Sequence, residues 1–446
     1  MMRVRLTPTQ GIVLGFAGVI LVGALLLMLP ISSAAGRATD FLTALFTATS
    51  AVCVTGLVVV DTGTYWSTFG QVVIALLIQI GGLGWMSVVT LLALIVRKRI
   101  SLGERLLIQE ALNKENLGGV VDLTRRIILT TFVLEGIGAL VLSWRFARDF
   151  GWEHGVYYGV FHAVSAFNNA GFDVLGSVFG KYCSLTPYVQ DITINVIISS
   201  LLILGGIGFP VIMEVVRVRK FARLSLHSKV VLLTTLALII CGTLTILAIE
   251  WDNPNTLGPL SPPGKWMAAY FQAVTPRTAG FNTVSIADLR PASQYVQVIL
   301  MFIGASPAGT GGGIKTTTFT VLVLAIAAVV RGRQEVEFAG RRIPWARVIK
   351  ALAIAALGFF LVNAVSFILL LTEGKAFLPV LYEVTSAFGT VGLTTGITPE
   401  LTPLGRCLLI ITMFAGRVGP VSLAMAIWKR QVRANIHLPE EQVILG

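Results

Sequence analysis

The chain has 446 residues, of which 55% are hydrophobic and only 13% are charged. Soluble domains carry about 25% charged residues, so this composition excludes an ordinary soluble protein and indicates an integral membrane protein. A formal net charge of +12 is also typical of nucleic-acid-binding proteins, so the placement of the basic residues has to decide between the two classes. The four cysteines and four histidines are dispersed and predict neither a disulfide framework nor a zinc site.

The basic residues are concentrated in alternate connections between apolar stretches. Twenty-three of the 34 Lys and Arg lie at residues 3 and 5, 97–126, 217–229, 331–350 and 429–433. This distribution is the positive-inside pattern of a polytopic membrane protein. It predicts that both termini are cytoplasmic and that the basic side contacts anionic membrane lipid. It also makes nucleic acid an unexpected partner.

In chain order, long apolar stretches alternate with shorter ones. About 20 apolar residues are needed to cross the hydrocarbon, so residues 11–29 predict a first span that Pro30 ends. Asp40 is placed to cap a helix at 41–53 that is too short to cross, and residues 72–96 return to the basic side. The same sequence of span, short helix and return span is predicted at 127–144, 155–168 and 192–216; at 230–249, 265–275 and 296–330; and at 351–372, 376–388 and 408–428.

Each short helix is followed by a turn that contains a glycine. The four glycines are separated by 115, 109 and 112 residues, and an aromatic residue precedes each by ten positions. The glycine and aromatic pairs are Gly56 and Phe46, Gly171 and Phe161, Gly280 and Tyr270, and Gly392 and Tyr382. Such a period indicates internal repeats. We expect four repeats, at residues 1–99, 100–220, 221–333 and 334–446, with eight spans in an all-α, pseudo-fourfold arrangement like that of a K⁺ channel.

The turns predict a ring of backbone carbonyl groups. Glycine allows backbone conformations that turn a carbonyl toward a shared axis, and such rings replace the water around a cation in selective pores. The C-termini of four short helices would add partial negative charge at the same place. The predicted filter residues are Val54, Thr55, Gly56, Asn169, Ala170, Gly171, Thr278, Ala279, Gly280, Thr390, Val391 and Gly392. The alternative, that these glycines serve only helix packing, is disfavoured by the regular spacing.

The return span of the third repeat is interrupted. Residues 304–313 contain five glycines and a proline, which cannot maintain a helix, and the 35-residue apolar run 296–330 is too long for one straight span. The interruption begins 24 residues after Gly280, on the cytoplasmic side of the predicted ring. It is either a gate or a simple kink, and broken membrane helices that line transport pathways favour the gate. The predicted gating residues are Gly304, Gly309, Thr310, Gly311, Gly312, Gly313 and Lys315.

Several ionisable residues lie at membrane depth, where a charge costs at least about 2.5 kcal/mol and requires water or a partner. Arg417 is either a barrier to cations below the ring or a structural partner of Glu383. Lys315 either anchors the interrupted segment or senses ions. Glu135 is a candidate ion-coupling carboxylate or a partner within the bundle. Asn168, beside the second turn, either lines the mouth of the filter or is a local hydrogen-bond partner, and the second interpretation is favoured.

These units resemble the Trk/Ktr/HKT superfamily of potassium transporters over roughly residues 11–428, most specifically at 161–172, 275–281 and 309–315. With no extra pair of spans before the first unit, the chain is most similar to the Ktr membrane subunit. The resemblance implies K⁺ uptake across the bacterial inner membrane, an intramembrane gating loop, a homodimer and a separate cytosolic nucleotide-binding ring that responds to ATP and ADP. It implies K⁺ on the filter carbonyls, no covalent cofactor, and Na⁺ as an activating or coupling ion.

The remaining alternatives differ in ion or in class. A potassium channel usually has two filter glycines per strand, and here the second is absent from each turn. A Na⁺-conducting or Na⁺/K⁺-cotransporting member of the superfamily is therefore the main competitor, although a serine in the first turn would have favoured Na⁺ more. A membrane enzyme is not expected, because the chain has no H-E-x-x-H or G-x-S-x-G motif. An inverted-repeat transporter is disfavoured, because all four units begin on the basic side.

Overall fold

The computed structural model describes residues 8–84, 120–419 and 423, and this part of the chain is mostly helical. The predicted basic linker, except residues 120–126, and the basic C-terminal tail lie outside the described residues. The main elements are α1 (Pro8–Met28), α2 (Phe41–Cys53), α3 (Thr68–Leu83), α4 (Val120–Phe167), α5 (Ile192–Ile207), α6 (Phe209–Val218), α7 (Leu226–Glu250), α8 (Pro262–Val274), α9 (Pro291–Ile303), α10 (Thr316–Val330), β1 (Val336–Phe338), β2 (Arg341–Ile343), α11 (Trp345–Thr372), α12 (Phe377–Gly389) and α13 (Pro403–Val418). Single turns of helix lie at Pro30–Ser32, Thr62–Tyr65, Gly176–Phe179, Thr186–Tyr188, Phe221–Arg223 and Thr398–Glu400.

Four of the described helices, α1, α4, α7 and α11, are long and apolar enough to cross a membrane. Their outer faces are apolar rather than charged, as in Leu25, Phe360 and Leu371, which are 60%, 73% and 72% exposed. A helix that is apolar on its exposed face is typical of a membrane span. The protein is therefore an integral membrane protein, as its composition predicts.

The short helices are buried inside the bundle. Ten of the 13 residues of α2 are buried, and α12 buries nine residues. Asp40 caps α2 as expected, with its Oδ2 accepting a hydrogen bond from Thr43 N at 3.1 Å. In the second repeat, Gly151, with φ 77°, divides α4 into a long outer part and the short helix that ends at Phe167. The prediction of two helices in this part of the second repeat is confirmed, with the break at Gly151.

Each of the four return helices ends at a glycine within the described residues, and residues 85–96 and most of 420–428 of the predicted return spans lie outside them. Helices α3, α5 and α13 have 16 residues, and α9 has 13. They end at Gly84, Gly208, Gly304 and Gly419, all with positive φ. The continuous span predicted at 192–216 is wrong, since α5 and α6 meet at a bend of 98°. Counted by length and composition, four described helices cross a membrane, or five if this bent pair is one span.

The helices pack as a closed cycle. The return helix of each repeat contacts the short-helix element of the next: α3 contacts α4, α5 contacts α8, α9 contacts α12, and α13 contacts α2. The last contact joins the end of the described chain to its beginning. The short helices and their turns therefore lie at the centre, and the long helices lie outside them.

One element was not predicted. Strands β1 and β2 form an antiparallel hairpin in which Val336 pairs with Ile343. Both side chains are buried against Ala325, Ala328 and Val348 of α10 and α11. The chain is therefore not strictly all-α. This small hairpin is stabilised by the apolar contacts it makes at the ends of two helices.

Candidate cation pathway

The four predicted turns meet around one axis. An ideal Cβ atom added to Gly171 would lie 2.8 Å from Ala279 O, and one added to Gly280 would lie 2.6 Å from Val391 O. The same construction at Gly392 meets Thr55 O, and at Gly56 it meets Ala170 O. Each glycine therefore abuts the carbonyl that precedes the next glycine, in the order of the four repeats and back to the first. We call residues 54–56, 169–171, 278–280 and 390–392 the glycine turns.

The backbone of the glycine turns is unusual and nearly identical in all four. Two residues before each glycine stands a residue with positive φ, at 59°, 59°, 72° and 50° for Val54, Asn169, Thr278 and Thr390. The glycines have φ of 92°, 69°, 80° and 91°. Positive φ at a β-branched residue costs on the order of 1–3 kcal/mol and persists only where the surroundings impose it. The shared conformation places four carbonyls, those of the residues just before the glycines, between adjacent turns.

Hydroxyl side chains on the short helices hold these turns. Ser50 Oγ accepts a hydrogen bond from Gly56 N at 3.0 Å, and Ser386 Oγ accepts one from Gly392 N at 3.1 Å. In the middle repeats the hydroxyl donates instead, from Ser165 Oγ to Phe172 O at 2.7 Å and from Thr275 to Phe281 O. Sequence reasoning missed these residues. A Ser or Thr five or six positions before each glycine was the available signal.

The ends of the short helices direct partial negative charge at the ring. Helices α2, α4, α8 and α12 end at Cys53, Phe167, Val274 and Gly389, directly before or within four residues of their turns. A helix C-terminus carries about half a negative charge. Four of them around carbonyl oxygens create a field that favours a cation over an anion.

The interrupted segment is a loop of residues 304–315 between α9 and α10, which we call the glycine-rich loop. It begins at Gly304, whose φ of 70° and ψ of −151° are accessible essentially only to glycine. Its backbone pairs with the broken end of the second repeat: Ser306 N donates to Gly206 O at 2.9 Å, and Thr310 N donates to Gly205 O at 3.1 Å. A Cβ on Gly309 would lie 2.9 Å from Gly205 O, so this approach requires glycine.

The glycine-rich loop also contacts the glycine turns. Thr310 Oγ1 donates a hydrogen bond to Asn169 Oδ1 at 2.8 Å. Added Cβ atoms at Gly311 and Gly312 would collide with the Thr278 and Thr390 side chains. The loop therefore contacts the first residue of three of the four turns, beside the C-terminal ends of the short helices. Lys315 Nζ donates a hydrogen bond to Gly311 O within the loop. This contact agrees with the first of the two alternatives for Lys315, in which it anchors the interrupted segment.

Arg417 joins the loop to the first repeat. One Nη donates to Thr310 O and the other to Gly81 O. Its predicted partner Glu383 instead accepts hydrogen bonds from Thr398 and from Thr394 Oγ1, the latter at 2.7 Å. The structural pairing with Glu383 is therefore wrong. Within the described part of the chain, no carboxylate forms an ion pair with Arg417.

Other polar and ionisable residues lie around the ring. Arg277 is buried beside the third turn, and its Nη2 donates to Thr235 Oγ1 at 3.2 Å. Asp173 follows the second turn, and its Oδ1 accepts from Leu175 N at 3.2 Å. Glu135 is 5% exposed and accepts a hydrogen bond from Asn168 Nδ2 at 2.8 Å. Among the described residues, no group of three or more His, Cys, Asp or Glu is arranged to hold a metal ion.

A bundle of apolar helices around four backbone turns defines a class, that of polytopic membrane transport proteins with a central ring of carbonyl groups. Comparison with known families is specific: the model of the TrkH cation transport proteins matches residues 7–435. The chain belongs to this family.

Individual relatives agree in length as well as sequence. The chain is 46% identical over 443 residues to the Ktr system potassium uptake protein B of Bacillus subtilis, covering 99% of this chain and 98% of that protein. It is 39% identical over 450 residues to the potassium/sodium uptake protein NtpJ of Enterococcus hirae, covering 100% of this chain and 98% of the relative. The crystal structure of the potassium transporter TrkH from Vibrio parahaemolyticus has the same fold, with a TM-score of 0.74 at 18% identity over 96% of this chain and 86% of that one.

Proposed function

We propose that the chain takes up K⁺ across the bacterial inner membrane, as the ion-translocating subunit of a Ktr-type system. The observation that carries the proposal is the closed cycle of glycine turns, in which each glycine abuts a carbonyl of the next repeat. Four carbonyls held at such a junction can replace the hydration shell of a cation. The name of the B. subtilis relative, a potassium uptake protein, supports K⁺ as the cargo.

The proposed architecture has eight spans in four units, with the repeat boundaries given by the sequence and both termini in the cytoplasm. Helices α1, α4, α7 and α11 run outward, and the broken return helices complete the other four crossings. The cyclic packing of return helices against the next short helix supports a pseudo-fourfold arrangement. The positive-inside distribution of Lys and Arg supports the orientation.

The glycine turns act as the filter, and K⁺ binds to backbone carbonyls rather than side chains. The short-helix C-termini supply the negative field, and the serine and threonine hydroxyls behind the turns keep the carbonyls in place. Na⁺ conduction or Na⁺/K⁺ cotransport is the second candidate function. It is supported by the name of the E. hirae relative, a potassium/sodium uptake protein.

The glycine-rich loop acts as the gate, and Arg417 holds it closed. The support is the loop's position against three glycine turns, with Arg417 bridging Thr310 O and Gly81 O. Opening would require these hydrogen bonds and those to Gly205 and Gly206 to break. A guanidinium near the pathway also raises the barrier for a cation.

A regulatory partner follows from the Ktr system to which the relative belongs, since that relative is named as one component of a system. We propose a cytosolic nucleotide-binding ring, responsive to ATP and ADP, on the basic side of the membrane. We also propose a homodimer within anionic lipid, with Na⁺ as an activating or coupling ion and no covalent cofactor. The transported ion is cargo, and the chain performs transport rather than catalysis.

Growth of a K⁺-uptake-deficient bacterium on limiting K⁺ tests the proposal. Gly392→Ser places a side chain against Thr55 O and should abolish rescue, whereas the wild type restores growth. Gly396→Ser is the matched control, because Gly396 has a similar φ of 98° but no atom of the described residues lies within 4 Å of an added Cβ. Equal rescue by Gly392→Ser and wild type, at equal protein levels in the membrane, would remove the filter assignment.

A further inference from the structure

A buried polar cluster lies behind the second glycine turn, outside the pathway itself. It joins three elements: Glu135 on the outer part of α4, Gln79 on α3 of the first repeat, and Asn168 at the end of the second short helix. Glu135 is 5% exposed and Asn168 is fully buried. An acidic residue in the apolar part of a membrane helix is costly unless it has a defined partner, and such residues usually serve a function. We therefore ask what Glu135 does through its partners.

The amide group of Asn168 is surrounded by acceptors. Its Nδ2 donates to Glu135 Oε1 at 2.8 Å, to Val164 O at 2.9 Å and to Gln79 Oε1 at 3.1 Å. An amide has only two N–H donors, so three acceptors around one nitrogen leave it a single orientation. The other side of the amide faces Gly82, where an added Cβ would lie 2.6 Å from Asn168 Cγ. The side chain is therefore locked from both directions.

This lock acts on the backbone of the second turn. Asn168 directly precedes Asn169, whose φ of 59° begins that turn. The Asn169 side chain contacts the glycine-rich loop, accepting from Thr310 Oγ1 at 2.8 Å, and reaches Thr278 Oγ1 of the third turn at 3.4 Å. Two adjacent asparagines thus connect the bundle on one side with the ring and the loop on the other. Glu135 is the carboxyl member of this connection, and its Oε1 accepts the shortest of the three hydrogen bonds of the Asn168 amide.

We propose that Glu135 is a positioning residue for the filter: through Asn168 it fixes the backbone of the second glycine turn and thereby sets discrimination between K⁺ and Na⁺. The inference rests on the proposed function of the glycine turns. The spacing of the carbonyls decides which cation the ring coordinates well. If the second turn is held less tightly, its carbonyls can adapt to Na⁺, the smaller and more strongly hydrated ion, and the ring excludes Na⁺ less strictly. Glu135 does not touch the ion, and its effect passes through the Asn168 amide.

The test uses the purified full-length protein in liposomes and compares initial uptake of radioactive rubidium, as a stand-in for K⁺, with that of radioactive sodium. Glu135→Ala removes an acceptor of the buried Asn168 amide and is expected to lower the Rb⁺/Na⁺ ratio about tenfold, the loss that an unpaired buried donor typically causes. Glu135→Gln retains an oxygen acceptor of the same length and should keep the ratio close to wild type.

An exchange of charge makes the test specific. Asn168→Asp places two carboxylates together and should lower the ratio, while Asn168→Asp combined with Glu135→Gln restores an amide–carboxylate pair and should recover it. Glu250→Gln is the control: Glu250 is also buried, but within the described part of the chain it accepts hydrogen bonds from Asn253 and Thr256 after α7 and from Arg290 and Ser293 at the start of α9.

The outcomes separate the two proposals. If wild type transports Rb⁺ selectively and Glu135→Ala keeps the same ratio, or if the double variant fails to recover it, the positioning role is wrong while the filter stands. If Glu135→Ala lowers protein stability and total uptake but leaves the ratio unchanged, Glu135 is only structural and the inference is likewise overturned. If wild type itself does not distinguish the two ions, the proposed function fails first.

Discussion

At the scale of single residues, the glycine turns show how backbone strain and hydrogen bonding are balanced. Val54 and Thr390 are β-branched and yet adopt left-handed conformations with φ of 59° and 50°. Their neighbours compensate, because Ser50 and Ser386 each satisfy a glycine N–H that has turned away from the helix. Specific hydrogen-bond partners thus impose this backbone conformation, and the loss of a partner should loosen the turn.

Ser386→Ala tests this balance. It leaves the buried Gly392 N–H without its acceptor, which costs about 1–3 kcal/mol, so we expect a several-fold loss of Rb⁺ over Na⁺ selectivity in the liposome assay. Ser366→Ala is the matched control in the same repeat, since Ser366 is also buried but its Oγ has no hydrogen-bond partner among the described residues. Equal selectivity of the two variants would show that the hydroxyl does not hold the turn.

Arg417 provides a second test at this scale. Arg417→Ala frees Thr310 O and Gly81 O and removes a positive charge, so K⁺ uptake should rise several-fold. Arg417→Lys separates the two effects, because it keeps the charge but cannot bridge two carbonyls as a guanidinium does. If Arg417→Lys takes up K⁺ as fast as Arg417→Ala does, the hydrogen-bond bridge is what restrains uptake. If Arg417→Lys takes up K⁺ at the wild-type rate, the positive charge is what restrains uptake.

The control for these variants is Arg406→Ala. Arg406 also donates to two backbone carbonyls, Leu401 O and Pro399 O, both at 3.0 Å, but it does so at the start of α13, away from the loop. Its loss should leave the uptake rate unchanged. A rise as large as that of Arg417→Ala would mean that general loosening of the fourth repeat, rather than release of the loop, increases uptake.

At the scale of elements, the glycine-rich loop explains why a return helix breaks where the sequence predicted continuity. Residues 192–216 are apolar enough for one span, but Gly205 O and Gly206 O accept hydrogen bonds from the loop, and Phe209 N donates to Ala308 O. The bend at Gly208 therefore depends on a segment about 100 residues further along the chain. The hydropathy of residues 192–216 does not depend on so distant a partner, and for this reason the bend could not be predicted from it.

Deleting residues 309–313 tests the loop as an element. If the loop closes the pathway, uptake should increase in correctly inserted protein, because the contacts with Asn169, Gly205 and Arg417 are all removed. Thr310→Val is the milder version, losing the hydrogen bond to Asn169 Oδ1 while keeping the shape of the side chain. Thr243→Val is its control, since the Thr243 hydroxyl bonds only within its own helix, to Ile239 O at 2.7 Å. Unchanged or lower uptake after the deletion would argue against a gate.

At the scale of the whole molecule, the boundaries of the four repeats stay a prediction, and the sequence correctly predicted the short helices and the glycines of the turns that follow them. These follow from local signals: Asp40 before α2, a stretch of apolar residues, and a glycine at a regular spacing. The cyclic contacts, the Arg417 bridge and the hairpin at Val336 and Ile343 could not be predicted, because each joins segments far apart in the chain or depends on burial against other helices. The alternative in which Glu383 pairs with Arg417 is wrong for the same reason, since Glu383 accepts hydrogen bonds from Thr394 and Thr398 of its own repeat instead.

The orientation of the whole molecule gives a further prediction. In a variant whose Cys183, Cys241 and Cys407 are replaced by Ser, with the buried Cys53 retained, single cysteines are introduced at exposed positions. Lys181→Cys should react with a membrane-impermeant thiol reagent in intact cells, because it lies on the side opposite the basic linkers. Arg333→Cys, in a basic linker, should react only after permeabilisation. The reverse labelling pattern would invert the proposed topology.

The central claim is that four backbone turns of one polypeptide surround and partly dehydrate a single alkali cation. The most direct measurement is an experimental density map of the full-length protein in Rb⁺ or Tl⁺, whose electron-rich ions are distinguishable from water. We predict cation density on the axis, bounded by the carbonyls of Thr55, Ala170, Ala279 and Val391. Turns that lie apart from one another, or cation density only at sites away from this ring, would contradict the account.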